Sequence, residues 1–221
     1  MFGILQDPIY EDHDTGAHPE RPERLEAVRQ GIADGLGSIT YESLVPVPAT
    51  TADLELVHDH DYVSWVRSQI EAGATRLDAD TAVCRRSFAV SLHAVGGSLA
   101  GTDALIEGRV RYAFFAIRPP GHHAEPDRAM GFCLFNNVAI AARHLIQRTG
   151  LSRVAIFDFD VHHGNGTQAA FYADPSVFYS SVHQQPFYPG TGRADETGTG
   201  DGLGTTLNLP YPYGAGDDEY E

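Results

Sequence analysis

The chain contains no lysine, and its 15 arginines are outnumbered by 30 acidic residues, so that 221 residues carry a formal net charge of −15. Proteins bind phosphate backbones through clustered cationic side chains. The composition therefore argues against direct binding to nucleic acid and favours cationic ligands, which an acidic surface attracts. Acidity that serves only solubility is the alternative interpretation.

Cysteine and long apolar segments are also scarce. Cys84 and Cys133 lie far apart and form no C-x-x-C motif, so neither a disulfide framework nor a zinc–thiolate site is indicated. No apolar run reaches the roughly 18 residues of a membrane span, and the N-terminus lacks a signal-peptide pattern. We expect a soluble cytoplasmic protein without a membrane partner. A chain of this length with 42% hydrophobic residues is expected to form one domain over residues 1–221.

The hydrophobic pattern predicts an α/β domain. The run Val154–Phe157 is short, continuous and β-rich, as in a strand that is buried on both faces of a parallel sheet. Other strands are predicted at residues 2–5, 45–47, 110–117, 177–183 and 206–209. Helices are predicted from residue 18 onward and at residues 62–70, 88–106, 135–145 and 167–172. The alternation between residues 110 and 183 predicts right-handed βαβ crossovers in one parallel sheet.

Polar residues follow the 154–157 strand at alternate positions. Asp158, Asp160 and His162 lie two residues apart, so an extended chain presents them on one face at the carboxyl end of the strand. Open α/β sheets bind ligands at this edge. Asp oxygen and His nitrogen are both zinc ligands. A short D-x-H motif alone is also compatible with a solvated turn.

Adjacent histidines follow the strand at 110–117. His122 and His123 come after a Pro-Pro-Gly turn, where they suit acid–base chemistry beside a metal. Asp158 and Asn165 are available as partners that would give the two rings different protonation states.

A further pair, His58-Asp-His60, has the composition of a metal site. We interpret Asp59 more simply as the N-cap of the next helix.

Four longer motifs extend this pattern. They are Arg118-Pro-Pro-Gly-His-His-Ala124, Gly131-Phe-Cys-Leu-Phe-Asn-Asn137, Asp158-Phe-Asp-Val-His-His-Gly-Asn-Gly166 and Tyr188-Pro-Gly-Thr-Gly192. With them, the sequence resembles the zinc-dependent histone deacetylases over nearly its whole length. The resemblance is greatest to class II-like prokaryotic relatives: histone-deacetylase-like amidohydrolases, acetoin-utilisation proteins and acetylpolyamine amidohydrolases. It implies an arginase/deacetylase-like three-layer α-β-α fold with a mainly parallel central sheet. It also implies removal of an acetyl (acyl) group from a lysine side chain of a protein or peptide, or from a polyamine or other small amine.

The resemblance implies a role for each matching residue. Asp160 and His162 match two of the family's three zinc ligands. His123 matches the general base, with Asn165 as its partner. His122 matches the second histidine, which is held by Asp158.

Substrate and ion sites are implied in the same way. The Gly131 carbonyl is expected to contact the substrate amide, and Phe132 and Tyr188 to form two sides of an acyl-lysine tunnel. Asp80 is a candidate for the rim aspartate that binds substrate backbone, and Arg24 matches an arginine that lines an internal acetate exit. A monovalent-cation site, usually occupied by potassium, is matched by Asp158, Asp160, His162, Ser181 and Val182.

Two family motifs have no counterpart in this sequence. A later Asp-x-x-x-Asp-Pro segment supplies the family's third zinc ligand, and a Gly-Gly-Tyr segment supplies the tyrosine that polarises the amide carbonyl. The chain matches the N-terminal two-thirds of the family domain, so we expect a fold that is incomplete at the C-terminus, with exposed apolar surface and a tendency to homo-oligomerise.

Two alternatives stay open. One is a truncated, non-catalytic relative or partial chain that binds acylated ligands. The other is an arginase-like binuclear manganese hydrolase, which needs a further carboxylate at the position of Gly164.

Overall fold

A computed structural model describes residues 1–220, which form six strands, seven α-helices and two short 3-10 helices at Pro8–Asp12 and Gly200–Gly202. The strands are β1 (Phe2–Gln6), β2 (Tyr41–Leu44), β3 (Tyr112–Ala116), β4 (Val154–Asp158), β5 (Val177–Gln184) and β6 (Thr206–Tyr211). The helices are α1 (Glu23–Leu36), α2 (Thr51–Leu54), α3 (His60–Glu71), α4 (Ser87–Ile106), α5 (Asn137–Thr149), α6 (Asn165–Phe171) and α7 (Asp217–Tyr220). No helix within the described range is long and apolar enough to cross a membrane.

The strands form two parallel sheets rather than the one expected. Their orders are β2-β1-β3 and β4-β5-β6, and β3 does not pair with β4. Of the crossovers expected between residues 110 and 183, only β4-α6-β5 joins neighbouring strands. The difference arises because β3 pairs with β1, a strand more than 100 residues earlier, and local periodicity does not encode such a pairing.

The first sheet has a helix on each face, although α1 covers its face only in part and leaves Phe114 50% exposed. Ile4 and Phe114 face α1, whereas Leu5 packs against α4 at Gly97. The resulting core cluster combines residues of α1, α4 and the sheet. This half of the molecule therefore has the α-β-α layers implied by the resemblance.

The second sheet is covered on one face among the described residues. Ile156 and Tyr179 pack with α5 and α6, including Phe171. On the opposite face Phe157 is 61% exposed, and Phe178 is 40% exposed. The expectation that β4 is buried on both faces is therefore wrong for Phe157, and the apolar surface that we expected to be exposed lies here.

The predicted strand at 45–47 is also wrong. The strand ends at Leu44, and Val45 and Val47 are exposed. Pro46 follows Val45, and Pro48 follows Val47. Because proline has no N–H to donate to a neighbouring strand, the β-strand does not extend through this segment.

Candidate active site

Two histidine pairs meet at the carboxyl ends of the strands. His122 Nδ1 lies 2.9 Å from Asp158 Oδ2, and His123 Nδ1 lies 2.8 Å from Asn165 Oδ1. The two imidazole rings are adjacent, with centroids 4.0 Å apart. The structure thus brings together the four residues to which catalytic roles were assigned.

The loop that carries these histidines is anchored at its start by Arg118. Its guanidinium is buried, forms an ion pair with the equally buried Glu20, and donates to the carbonyls of Tyr10 and His13. At the other end of the loop, the Thr167 N–H donates to the His122 carbonyl at 3.1 Å. Buried ion pairs and hydrogen bonds of this kind restrict the backbone, so the two rings have little freedom to move.

The environment gives the two imidazoles different proton affinities. Burial, followed by repulsion from His122, lowers the pKa of His123 from its usual 6.5 to about 4. Burial also opposes a charge on His122, but its hydrogen bond and charge interaction with Asp158 outweigh burial and raise its pKa. Burial would raise the pKa of Asp158, yet contacts with His122 and Tyr179 hold it below its ordinary value. Of the two imidazoles, His122 therefore binds a proton more readily than His123.

The predicted zinc ligands lie beside these pairs. His162 Nδ1 is 3.2 Å from Asp160 Oδ1. Two such ligands on one tetrahedral zinc ion lie roughly 3.3 Å apart, because each bond is roughly 2.0–2.2 Å long. The two atoms therefore fit one edge of a zinc site. Within residues 1–220, no group of three His, Cys, Asp or Glu side chains is arranged to hold a metal ion.

Three of the residues predicted to hold a monovalent cation, Asp158, Ser181 and Val182, are neighbours in the second sheet, whereas Asp160 and His162 follow the end of β4. Asp158 is opposite Ser181 in the register of β4 and β5. The Ser181 hydroxyl is buried and lies 2.9 Å from His183 Nδ1. Val182 follows on the same strand and is buried.

A cavity of about 470 Å³ opens over both histidines and the predicted zinc ligands, and Phe132 and Tyr188 line it. Phe132 has a φ of 70°, which is uncommon for a side-chain-bearing residue and is tolerated chiefly where the surroundings enforce it. Gly131 has a φ of 56°, and a Cβ on it would overlap the His123 ring. The Gly131–Phe132 turn is therefore shaped around His123.

Asp80 and Arg24 also line this cavity. Asp80 accepts a hydrogen bond from the Gly131 N–H at 3.2 Å, so it supports the cavity wall. Burial and then the charge of Asp78 raise the pKa of Asp80. Arg24 is exposed on α1. Their roles at the substrate rim and at the acetate exit stay predictions.

His58 and His60 do not form a metal pair. The buried His58 donates from Nδ1 to the Glu125 carbonyl and accepts at Nε2 from the Asn136 N–H, both at 2.9 Å. His60 is exposed and contacts Glu55. Asp59 occupies the N-cap position of α3, as interpreted, but its side chain makes no capping hydrogen bond.

Gly164 is unsuited to a second metal ligand. A Cβ at this position would overlap the carboxylate of Asp158 and the hydroxyl of Tyr179. The carboxylate that an arginase-like site needs is thus absent, and a larger side chain would displace the His122–Asp158 pair.

Sequence reasoning missed three residues around the site. Glu125 contacts Asn165, Glu20 neutralises Arg118, and Tyr179 donates to Asp158 at 3.2 Å. Glu125 lies two residues after His123, and this closeness in sequence is the local signal that points to it. The other contacts join segments distant in sequence and leave no local signal.

The named strands of the described residues all pair in parallel, and the polar site lies at their carboxyl ends, which places the protein in the α/β class. Residues 18–221 match the model of the histone deacetylase domain, and the chain belongs to that family. The resemblance and the fold class predicted from sequence are confirmed.

Individual relatives support the assignment to this family. A probable deacetylase of Archaeoglobus fulgidus is 40% identical over 224 residues, which cover all of this chain and 62% of that protein. Histone deacetylase 14, chloroplastic, of Arabidopsis thaliana is 42% identical over 222 residues, covering 93% of this chain and 52% of that protein. The crystal structure of the HDA15 HD domain matches with a TM-score of 0.89 at 36% identity, covering 95% of this chain and 61% of that one. The chain therefore spans between half and two-thirds of the length of these relatives.

Proposed function

We propose that the protein is a zinc-dependent amidohydrolase that removes an acetyl group from lysine side chains or related amines. The observation that carries this proposal is the convergence of the His122–Asp158 and His123–Asn165 pairs with Asp160 and His162 on one cavity.

Asp160 and His162 would hold the zinc ion, which would lower the pKa of a bound water and polarise the scissile carbonyl. His123 would accept a proton from that water at Nε2, since its Nδ1 is occupied by Asn165. His122, which Asp158 favours in its charged form, would stabilise developing negative charge and return a proton to the leaving amine.

The substrate class follows from the cavity and the charge. Aromatic walls formed by Phe132 and Tyr188 suit an extended alkyl chain, and the acidic surface suits a product that is an alkylammonium ion. We therefore expect acetylated lysine in a protein or peptide, or an acetylated polyamine, as substrate. We propose in addition that the protein acts in the cytoplasm and that it self-associates through the exposed face of the second sheet.

Hydrolysis of an acetyl-lysine peptide in the presence of zinc tests the proposal. The described residues supply two of the three protein ligands usual in catalytic zinc sites, so we expect weak activity from the 221-residue chain. A version that also carries the Asp-x-x-x-Asp-Pro and Gly-Gly-Tyr motifs should bind one zinc ion and turn over the peptide. Equal activity of the two versions would contradict this account of the site.

General-base catalysis is tested by His123→Ala in the extended version. The expected result is a loss of turnover of about 10²–10⁴-fold with zinc still bound, because the base is not a ligand. Near-normal turnover in this variant would contradict the role of His123.

Binding of acylated ligands without turnover is the second candidate, favoured by the two-ligand site of the described residues. Calorimetry with an acetyl-lysine peptide distinguishes it: binding by both versions, with hydrolysis by neither, would support this candidate over the first.

A further inference from the structure

Glu125 contacts the partner of the general base. Its Oε1 accepts a hydrogen bond from the Asn165 side-chain amide at 2.6 Å, while Asn165 Oδ1 lies 2.8 Å from His123 Nδ1. Asn165 is 5% exposed. A chain of contacts therefore runs from Glu125 through a buried amide to His123.

The chemistry of these groups decides where the protons are. A carboxylate only accepts hydrogen bonds, so the amide must direct its NH₂ group towards Glu125. Its oxygen then faces His123 Nδ1, which must carry the proton of the neutral ring. The lone pair remains at Nε2, on the side of the ring away from Asn165.

Other acceptors near the Asn165 NH₂ group are weaker. Met130 Sδ is 3.2 Å away and is a poor acceptor, and the His123 carbonyl is 3.4 Å away. Glu125 thus provides the shortest and only charge-assisted contact to this group.

The backbone of Glu125 is itself held in place. Its N–H donates to the Arg128 carbonyl at 3.0 Å, and its carbonyl accepts from buried His58. The Arg128 guanidinium contacts Glu125 Oε1 at 2.7 Å from the solvent side, with 60% of the arginine side chain exposed against 18% of the glutamate. A mere surface ion pair would not require the carboxylate to be this buried.

We propose that Glu125 is a positioning residue: it orients the Asn165 amide and thereby maintains His123 in the Nδ1–H tautomer that leaves Nε2 free to accept a proton. This inference rests on the proposed function, in which His123 is the base.

The tautomer can be measured without turnover. Long-range proton–nitrogen NMR spectra of protein with labelled histidine distinguish protonated from unprotonated ring nitrogens, and His123→Gln assigns the signal. The wild type should show only the Nδ1–H form. Glu125→Met and, as a second variant, Glu125→Ala should show a measurable Nε2–H population, because the amide becomes free to turn.

Two variants complete this series. Glu125→Gln retains an acceptor oxygen and should restore most of the Nδ1–H form. Glu107→Gln removes a surface carboxylate that pairs with Arg109 and should leave the spectrum unchanged. A wild-type tautomer in both Glu125→Met and Glu125→Ala would overturn the inference.

Kinetics on the zinc-loaded, extended version provide the second test. Glu125→Met should lower kcat about tenfold, as loss of an outer hydrogen-bond partner typically does, with KM within about twofold of the wild type. In an Asn165→Ala background the same substitution should cause no further loss, because Glu125 acts only through Asn165. Independent, multiplicative losses would overturn the inference. If no version hydrolyses the peptide, the proposed function fails, and the NMR result still decides the role of Glu125.

Discussion

Acidification should destabilise the protein through His58, which is buried and must stay neutral. Its Nε2 accepts a hydrogen bond from the Asn136 N–H, so a proton at that nitrogen would place two donors against each other. Burial is the main cause that lowers the pKa of His58 to about 4, against 6.5 for an exposed histidine. The ring also packs edge-on against Phe135, at a centroid distance of 5.3 Å.

The direction in which pH changes the free energy of unfolding follows from proton uptake by His58. Between pH 6.5 and 4 the unfolded chain has bound a proton at His58 and the folded protein has not, so the free energy of unfolding falls as the pH falls. Stability from this group is thus complete above about pH 6.5 and is lost progressively towards pH 4. With these two values, His58 alone should remove about 2 kcal/mol between pH 7 and pH 5.

Denaturant unfolding at both pH values measures this effect for the wild type and for His58→Gln. The variant should be less stable at pH 7, where it loses ring packing, but the difference should shrink by about 2 kcal/mol at pH 5 because glutamine does not titrate. Burial also lowers the pKa values of His13 and His163 to about 4, and their contributions cancel in the comparison. A stability difference that is equal at both pH values would refute the reasoning.

Other predictions concern the metal, the tunnel and the anchored loop. In the extended version, Asp160→Ala should abolish zinc binding, as measured by elemental analysis after gel filtration; retained stoichiometric zinc would exclude Asp160 as a ligand. Phe132→Ala in the extended version should raise KM for acetyl-lysine peptides, because the alkyl chain of the substrate would lose an apolar contact with the cavity wall, and unchanged kinetics would mean that the ring only packs. Glu20→Gln should lower the free energy of unfolding by about 3–5 kcal/mol, because it leaves the buried Arg118 charge unpaired, whereas the exposed Glu23→Gln should change it little.

Local patterns predicted most helices and strands to within a few residues. The long helix α4 and the short helix α6 were both expected, and Gly150 ends α5 in a left-handed conformation. The wrong predictions concern segments whose structure is determined by tertiary contacts. Val45 and Val47 lie outside the sheet although a strand was predicted there. Phe157 of β4 faces solvent although Val154–Phe157 is a continuous apolar run.

The sequence alone predicted the chemistry that we propose for the site, because motifs such as Asp158-x-Asp160-x-His162 and His122-His123 bring their groups together through a few adjacent residues and strand periodicity. Only the tertiary structure decided which partners these groups have. Arg118 pairs with Glu20 across 98 residues, and Glu125 contacts Asn165 across 40. Such partners are selected by the packing of distant segments and by the need to neutralise or hydrogen-bond every buried polar group, and neither requirement leaves a local pattern in the chain.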